Sequence, residues 1–424
     1  MSQTLDKIRP YIRDHFKSQK KEFVPGKTRI PLNIPTYSSE EVEEALDSLL
    51  STWVTMGSKV KKFEEAFAQY NGSKHAVMVN SGSSANLLAL SVLTNPLLKD
   101  HIPKGSEIIT PAVTWATTVY PVSDVGCTPV LVDVDQKTFN IIPDEIEKAI
   151  TNKTRAILPV HLLGGPCQIE RIKKIADIHD LHLIEDTCET TGGEVHGKKA
   201  GSFGDMGTFS FFLSHHISTI EGGIIVTDDD QLHEYLKAMR AFGWVRDLRE
   251  KENYSSANKG IDPRFLFITH GYNLRPTEIQ GAFGIHQIKK LDAFIEIRRN
   301  NADYWKKRLS PYRDLLTLPV EEPGTRHVYF GYPLTINPKA SFTREQLVDH
   351  LEGKMIETRP VMAGNMAEQP VMKQLPHRTS GSLPNSRMIM RQSFFFGNHT
   401  GIGEPEREYI ADSIKGFLDS TSKK

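Results

Sequence analysis

The chain has 424 residues, and its 52 lysines and arginines balance 52 aspartates and glutamates, so the net charge is zero. This length is too great for one simple core and suits a large domain with a smaller one, while the charge balance argues against a polyanion-binding surface and excludes nucleic acid as a main partner. Three scattered cysteines, Cys127, Cys167 and Cys188, suit a reducing compartment; with no apolar run near the roughly 20 residues of a membrane span and no signal-peptide core, the expected location is the cytoplasm, with no membrane partner.

The opening stretch "MSQTLDKIRPYIRDHFKSQKK" predicts an amphipathic helix with Ile8, Tyr11, Ile12 and Phe16 on one face, within a helical extension over residues 1–35. "PGKT" at Pro25–Thr28 ends like a P-loop, but the required glycine five residues before Gly26 is Lys21, and the pattern fails. Residues 36–290 alternate short apolar runs with amphipathic ones. "HAVMVN", "SEIITP", "TPVLVDVD", "RAILPVHLL", "LHLIEDTC", "MGTFSFF" and "GGIIVTDD" read as strands, and "PDEIEKAI" and "IERIKKIADIHD" as helices between them. This alternation predicts an α/β domain with a mostly parallel central sheet. The polar stretch from about 245 to 270 reads as an exposed loop. Residues 291–424 read as a smaller α+β domain: a long helix in "LDAFIEIRRNNADYWKKRLSPY", a strand in "HVYFGYPLTI", and helices in "TREQLVDHLEGK" and "REYIADSIKGFLD". No G-x-G-x-x-G, H-E-x-x-H or C-x-x-C is present, and the 16 histidines show no zinc spacing, so no metal ligands are expected.

Four stretches carry candidate chemistry. In "NSGSSANLLAL", a strand, a Gly-Ser-Ser turn and a helix start follow one another. Backbone N–H groups and hydroxyls at such a turn can hold an anion, or the serine can simply cap the helix. In "LHLIEDTCETTGG", Asp186 ends an apolar strand, at the sheet edge where open α/β folds bind ligands; a helix cap is the alternative. In "FSFFLSHHISTIEGG", Ser210 can present a hydroxyl at a strand end. Two adjacent histidines, His215 and His216, follow it, and the glycine pair allows a tight turn. In "THGYNLRPTEIQGAFG", Pro276 and Thr277 mark a helix start.

Taken together these stretches resemble the sugar aminotransferase-like family of pyridoxal-phosphate enzymes, of fold type I. Further matches are "TPAVTWATTVYP", the "VDVD" and "PVHLLGGP" stretches, and the "EDTCE…G…G.FGD" block. The resemblance spans nearly the whole chain. It implies the aspartate-aminotransferase-like fold, with pyridoxal or pyridoxamine phosphate (PLP or PMP) as cofactor. Gly82, Ser83 and Ser210 would contact its phosphate, Trp115 would stack on its ring, and Asp186 would pair with the ring nitrogen. That pairing keeps the ring an electron acceptor. Glu189 sits where the family usually has Gln or His beside the ring. Asn273 would reach the phosphate of the other subunit, implying a homodimer with shared active sites.

One position departs from the majority. The lysine that usually forms the Schiff base is here His215, so the cofactor is not tethered through a lysine. Histidine there, within "SHHISTIEGG", resembles the 3-dehydratases of nucleotide-linked 4-keto-6-deoxy sugars, which serve deoxysugar and lipopolysaccharide O-antigen biosynthesis. The resemblance implies PMP formed at the expense of L-glutamate, loss of water at C3 with His215 as the base, and release of a 3,6-dideoxy-4-keto sugar and ammonia. An imidazole of ordinary pKa, about 6.5, is suited to that proton transfer. One branch of this subgroup carries an iron–sulfur cluster on four cysteines and works with a reductase on a CDP sugar; the other has neither and acts on GDP-4-keto-6-deoxymannose. The cysteine-free loop "GWVRDLREKENYSSANKGIDPRF" favours the second, with no cluster and no reductase partner. The stretch "RPVMAGNMAEQPVMKQ" and the N-terminal extension look more like the first, which keeps CDP-4-keto-6-deoxyglucose as the alternative substrate. A sugar aminotransferase that tolerates histidine and a non-catalytic cofactor-binding relative are the remaining alternatives. His216, Arg359, Asn398 and His399 are the candidate contacts to the nucleotide sugar.

Overall fold

The computed structural model describes residues 3–18 and 22–421. Helices α1 (Gln3–Ser18), α2 (Ser39–Leu50) and α3 (Ser58–Asn71) precede the first strand. On α1 the packed face differs from the expected one: Leu5 is buried, whereas Tyr11 is 79% exposed. Arg9 and Arg13 both pair with Glu43 of α2, and this docking turns the stripe Leu5–Ile8–Ile12–Phe16 inward. Tyr11, one position off that stripe, points away from it.

The expected strands all form. In chain order they are β1 (His75–Val79), β2 (Glu107–Pro111), β3 (Thr128–Val132), β4 (Thr154–Ile157) and β5 (His182–Asp186). A small hairpin, β6 (Glu194–Val195) and β7 (Lys198–Lys199), separates them from β8 (Met206–Ser210) and β9 (Gly223–Thr227). The helices between and after them are α4 (Gly82–Leu93), α5 (Ala116–Asp124), α6 (Pro143–Ala149), α7 (Ile169–Ile178), α8 (Asp230–Arg240) and α9 (Lys251–Ala257). The last of these, with two 3-10 turns, gives the 245–270 stretch more structure than a plain loop.

Helix α10 (Glu278–Leu309) starts at a Thr277 cap whose partner in a capping box is Gln280. It runs unbroken past residue 290 and packs on α2 and α3. Beyond it lie β10 (Leu316–Thr317), β11 (Thr325–Arg326), β12 (Gly331–Ile336), α11 (Arg344–Gly353), β13 (Thr358–Pro360), β14 (Arg378–Thr379), α12 (Pro384–Gln392), β15 (Ser393–Gly397) and α13 (Glu404–Thr421).

The large sheet has the order β1-β9-β8-β5-β4-β2-β3-β14. Strands β8, β5, β4, β2, β3 and β14 run parallel, and β9 is antiparallel to both its neighbours. Buried on both faces, these strands read as unbroken apolar runs. Two apolar clusters cover the faces, one around Leu88, Val92, Ile184 and Leu236, the other around Phe63, Phe67, Phe209 and Leu291. The C-terminal part builds an antiparallel sheet, β10-β12-β15-β13, on its own core of Trp305, Tyr332, Phe394 and Phe396. It also sends β14 back to the edge of the large sheet. No helix among the described residues is long and apolar enough to cross a membrane.

Candidate active site

Because β1, β2, β5 and β8 point the same way, their C-terminal ends meet at one sheet edge, where a cavity of about 400 Å³ opens. Its floor begins after β1. Ser81 caps α4 by accepting the Ser84 N–H at 3.1 Å. The N–H groups of Gly82 and Ser83, in the first turn, have no intrahelical acceptor. Both residues line the cavity, and so does Ser210 from the end of β8. A Cβ on Gly82 would stand 2.4 Å from the Ser210 Cβ, so only glycine brings the helix start against that serine.

The glycine pair after His216 serves the same closeness rather than the expected tight turn. The left-handed residue is Ile220, with φ 72°. Gly223 is needed because a Cβ there would meet the Ser81 carbonyl oxygen at 2.3 Å. The result is a cradle of helix N–H groups and two serine hydroxyls, a donor set that fits a phosphate. Trp115, at the start of α5, stands 56% exposed on the cavity wall. Its flat face is available to a planar ring.

Asp186 ends β5 almost fully buried. Its Oδ2 accepts the Asn86 amide at 2.8 Å and the Thr118 hydroxyl at 2.9 Å, and its Oδ1 accepts the Cys188 N–H at 3.2 Å. Asn86 is held in turn by the Thr208 hydroxyl at 2.6 Å and the Thr117 carbonyl at 3.1 Å. The carboxylate is therefore locked in direction and still lines the cavity, as a partner for a ring N–H requires. Glu189 lines the same wall. Burial, reinforced by the nearby Asp186 charge, pushes its carboxyl up to about 8, against the single N–H of Leu163 at 2.8 Å.

His215 is half-buried on the cavity wall, its ring 5.3 Å from that of Phe330. Its Nδ1 has no hydrogen-bond partner. Burial, helped by the Arg298 charge, lowers its pKa to about 4, below the ordinary value expected from sequence, so the ring is neutral at pH 7. Among the described residues no lysine lines the cavity.

The structure does not bring every candidate to this place. His216 is fully buried behind the wall, where its Nε2 donates to the Val328 carbonyl at 3.1 Å. Asn398 is buried and exchanges hydrogen bonds with Arg298 of α10. His399 donates to the Pro31 carbonyl at 3.0 Å and is also buried. All three lie outside the cavity lining and hold backbone in place. Arg359, carried on β13, does line the cavity, with its side chain 64% exposed and Glu357 at 3.6 Å. Asn273 is exposed, away from this chain's own cavity, with its side chain accepting from Arg275 at 3.0 Å.

Several lining or supporting residues escaped the sequence reading. Asn86 and Thr118 carried a usable signal: Asn86 lies one helical turn after Gly82, on the same face of α4, and Thr118 lies one turn into α5 from Trp115. Asn33, Phe330 and Met362 reach the cavity from distant parts of the chain, and nothing local marks them. Asn33 donates to the Leu213 carbonyl at 2.7 Å, tying the N-terminal segment to the histidine loop. Among the described residues no group of three or more His, Cys, Asp or Glu is arranged to hold a metal ion.

Known proteins match this architecture along most of its length. The chain is 42% identical over 381 residues to GDP-4-keto-6-deoxy-D-mannose 3-dehydratase of Yersinia pseudotuberculosis, a match covering 88% of this chain and 95% of that one. It is 34% identical to the lipopolysaccharide biosynthesis protein RfbH of Salmonella typhimurium, with 94% of each chain covered. Among solved structures, GDP-4-keto-6-deoxymannose-3-dehydratase with a trapped PLP-glutamate geminal diamine superimposes with a TM-score of 0.86 at 39% identity, covering 91% of this chain and 99% of that one. The model of the DegT/DnrJ/EryC1/StrS aminotransferase family matches residues 35–415, and the chain belongs to that family.

Proposed function

We propose that this protein is a PMP-dependent 3-dehydratase of a nucleotide-linked 4-keto-6-deoxyhexose, with GDP-4-keto-6-deoxymannose as the favoured substrate. The observation that carries the reading is a neutral His215 on the wall of a cavity without a lysine, facing the set Gly82, Ser83, Trp115, Asp186 and Ser210. The likeness to a GDP-sugar dehydratase at 42% identity supports GDP over CDP, and the PLP-glutamate adduct in a relative supports L-glutamate as amino donor. The likeness to RfbH fits a place in deoxysugar supply for lipopolysaccharide.

The residues fit the cofactor: the cradle at the start of α4 and Ser210 would hold its phosphate, Trp115 its ring face, and Asp186 its ring nitrogen. When bound, PMP supplies a primary amine for the sugar's keto group and a ring that accepts electrons. Asp186, fixed by Asn86 and Thr118, keeps a negative charge aimed at the ring N–H. His215, neutral on the cavity wall, would take a proton from carbon and return it to the departing C3 hydroxyl. A lysine amine there would compete for the cofactor's aldehyde; an imidazole cannot. Arg359 offers a cation at the cavity mouth for an anionic group of the glutamate or the sugar nucleotide. His216 is assigned a supporting role through Val328.

A homodimer with shared sites is part of the proposal. Trp53, Phe212, Leu213, Ile220 and Phe242 are 39–62% exposed, apolar surface that a second copy would cover, and the exposed Asn273 would reach that copy's phosphate cradle. Three cysteines cannot hold a four-thiolate cluster, which supports a cycle fed by glutamate without a reductase. The division near residue 290, with the C-terminal part roofing the cavity, belongs to the same proposal. Incubating the protein with PLP and L-glutamate tests it: the aldehyde absorbance falls and 2-oxoglutarate appears. An unchanged spectrum would refute the glutamate-fed cycle.

A further inference from the structure

The roof of the cavity is fastened at Glu357. Residues 29–33 run as a strap beside the segment that leads into β13. The Ile30 N–H donates to the Met355 carbonyl at 2.8 Å, and the Glu357 N–H donates to the Ile30 carbonyl at 2.9 Å. Leu32 and Asn33 of this strap line the cavity, and Asn33 donates to the Leu213 carbonyl, two residues before His215. The carboxylate of Glu357 divides its oxygens between two tasks. Its Oε2 accepts the Leu32 N–H at 3.3 Å and stands 3.4 Å from the Arg29 guanidinium, both on the strap. Its Oε1 faces the Arg359 guanidinium at 3.6 Å. Among the described residues Arg359 has no other charged partner, and its side chain is 64% exposed against 22% for Glu357. The carboxylate is held by the strap, whereas the guanidinium is tied down only by one exposed ion pair.

We propose that Glu357 is a positioning residue: one oxygen fastens the strap, and the other holds Arg359 at the cavity mouth as an internal counter-ion that an anionic group of the substrate displaces. The role rests on the dehydratase reading, in which L-glutamate and a sugar nucleotide, both anionic, enter the same cavity one after the other. A lone arginine at the mouth would hold on to whichever anion arrived first. With Glu357 fixed beside it, the guanidinium exchanges one carboxylate for another anion, so the gain on binding is the difference between two ion pairs. Each anion binds less tightly and leaves faster. Between the two half-reactions Arg359 returns to a set place beside Glu357 rather than sampling the many rotamers of a free side chain. No covalent bond changes.

The test uses the full-length protein loaded with cofactor and the substitution Glu357→Gln, whose amide oxygen still accepts the Leu32 N–H but whose charge is gone. L-Glutamate is titrated by the fall in aldehyde absorbance, and GDP by equilibrium calorimetry on the pyridoxamine form. Glu357→Gln should bind at least one of the two about threefold more tightly, the scale of an exposed ion pair, and the arm that tightens identifies the anion that Arg359 meets. In an Arg359→Met background the same change should have no effect, as for two residues that act through one interaction. Amide hydrogen exchange at residues 30–33 should stay slow in Glu357→Gln and quicken in Glu357→Ala, which loses the strap contact as well. Unchanged or weaker binding of both anions in Glu357→Gln, or a tightening that persists in the Arg359→Met background, would overturn the proposal. So would strap exchange that quickens as much in Glu357→Gln as in Glu357→Ala. If the absorbance responds to glutamate in no variant, wild type included, the glutamate-fed cycle fails and the GDP arm still decides on Glu357; if GDP does not bind either, the role falls with the dehydratase reading.

Discussion

The floor and the roof of the cavity are built differently. The floor comes from strand ends of one sheet: the turn after β1, Asp186 at the end of β5 and Ser210 at the end of β8. The roof comes from Asn33, Phe330, Arg359, Met362 and Phe395, which stand on an N-terminal segment and on the small antiparallel sheet, far apart in sequence. On the floor, Asp186 is held by hydrogen bonds from Asn86, Thr118 and the Cys188 N–H. The roof's charged group, Arg359, is mostly exposed and paired with Glu357 alone. A fixed floor suits a cofactor that must not move. A looser roof suits alternating glutamate and sugar.

Substitutions can break this contrast. The largest effect is expected beside the floor, at His215 on the cavity wall. His215→Asn should slow ammonia release from the keto sugar about a thousandfold, the scale of a lost general base. Arg359→Met, on the roof, should raise KM for at least one substrate about tenfold with a smaller change in kcat, as for a lost charge-assisted contact. Steady-state kinetics for glutamate and for the sugar nucleotide separate the two. Asn86→Ala removes a donor to Asp186 and leaves the Thr208 hydroxyl only its longer bond to the Glu185 carbonyl, and should cost about 1–3 kcal/mol in urea denaturation. Asn33→Ala, on the roof, removes one exposed hydrogen bond and should change stability by less than about 1 kcal/mol.

The smallest and most diagnostic effect is on pH dependence. The folded chain leaves His215 unprotonated down to about 4, whereas the unfolded chain protonates it near an ordinary value of about 6.5. The unfolded state therefore binds the extra proton, and this residue lowers stability as pH falls through that window. His215→Asn should accordingly be less destabilised than the wild type between pH 7 and pH 5 in urea melts. Parallel losses in both proteins would remove the ring from its low-dielectric wall.

The difference between floor and roof also explains what the sequence could say. Each floor residue follows an apolar run that ends at a small or polar residue, so Gly82, Asp186 and Ser210 announce themselves within a few positions. The missing lysine is legible in the same way, because only the length of "FSFFLSH" matters. The roof depends on which distant strand lands over the cavity. That is decided by the packing of the small sheet, and neither Phe330, just before β12, nor Met362, just after β13, differs in pattern from an ordinary core residue. For the same reason Asn398 and His399 pass in sequence for cavity residues, whereas packing points them at Arg298 and Pro31. The glycine pair misleads too: composition cannot separate a turn from a close approach, and only the 2.3 Å that a Gly223 Cβ would leave to the Ser81 carbonyl does so.

The central claim is that a neutral histidine in a cavity without a lysine turns an aminotransferase-like site towards dehydration. Its most direct measurement supplies the protein with PLP, excess L-glutamate and GDP-4-keto-6-deoxymannose, and identifies the nitrogen-bearing and sugar products by mass spectrometry. The account predicts free ammonia and a 3,6-dideoxy-4-keto sugar in equal amounts. A 4-amino sugar nucleotide that retains its C3 hydroxyl, formed without ammonia, would contradict it.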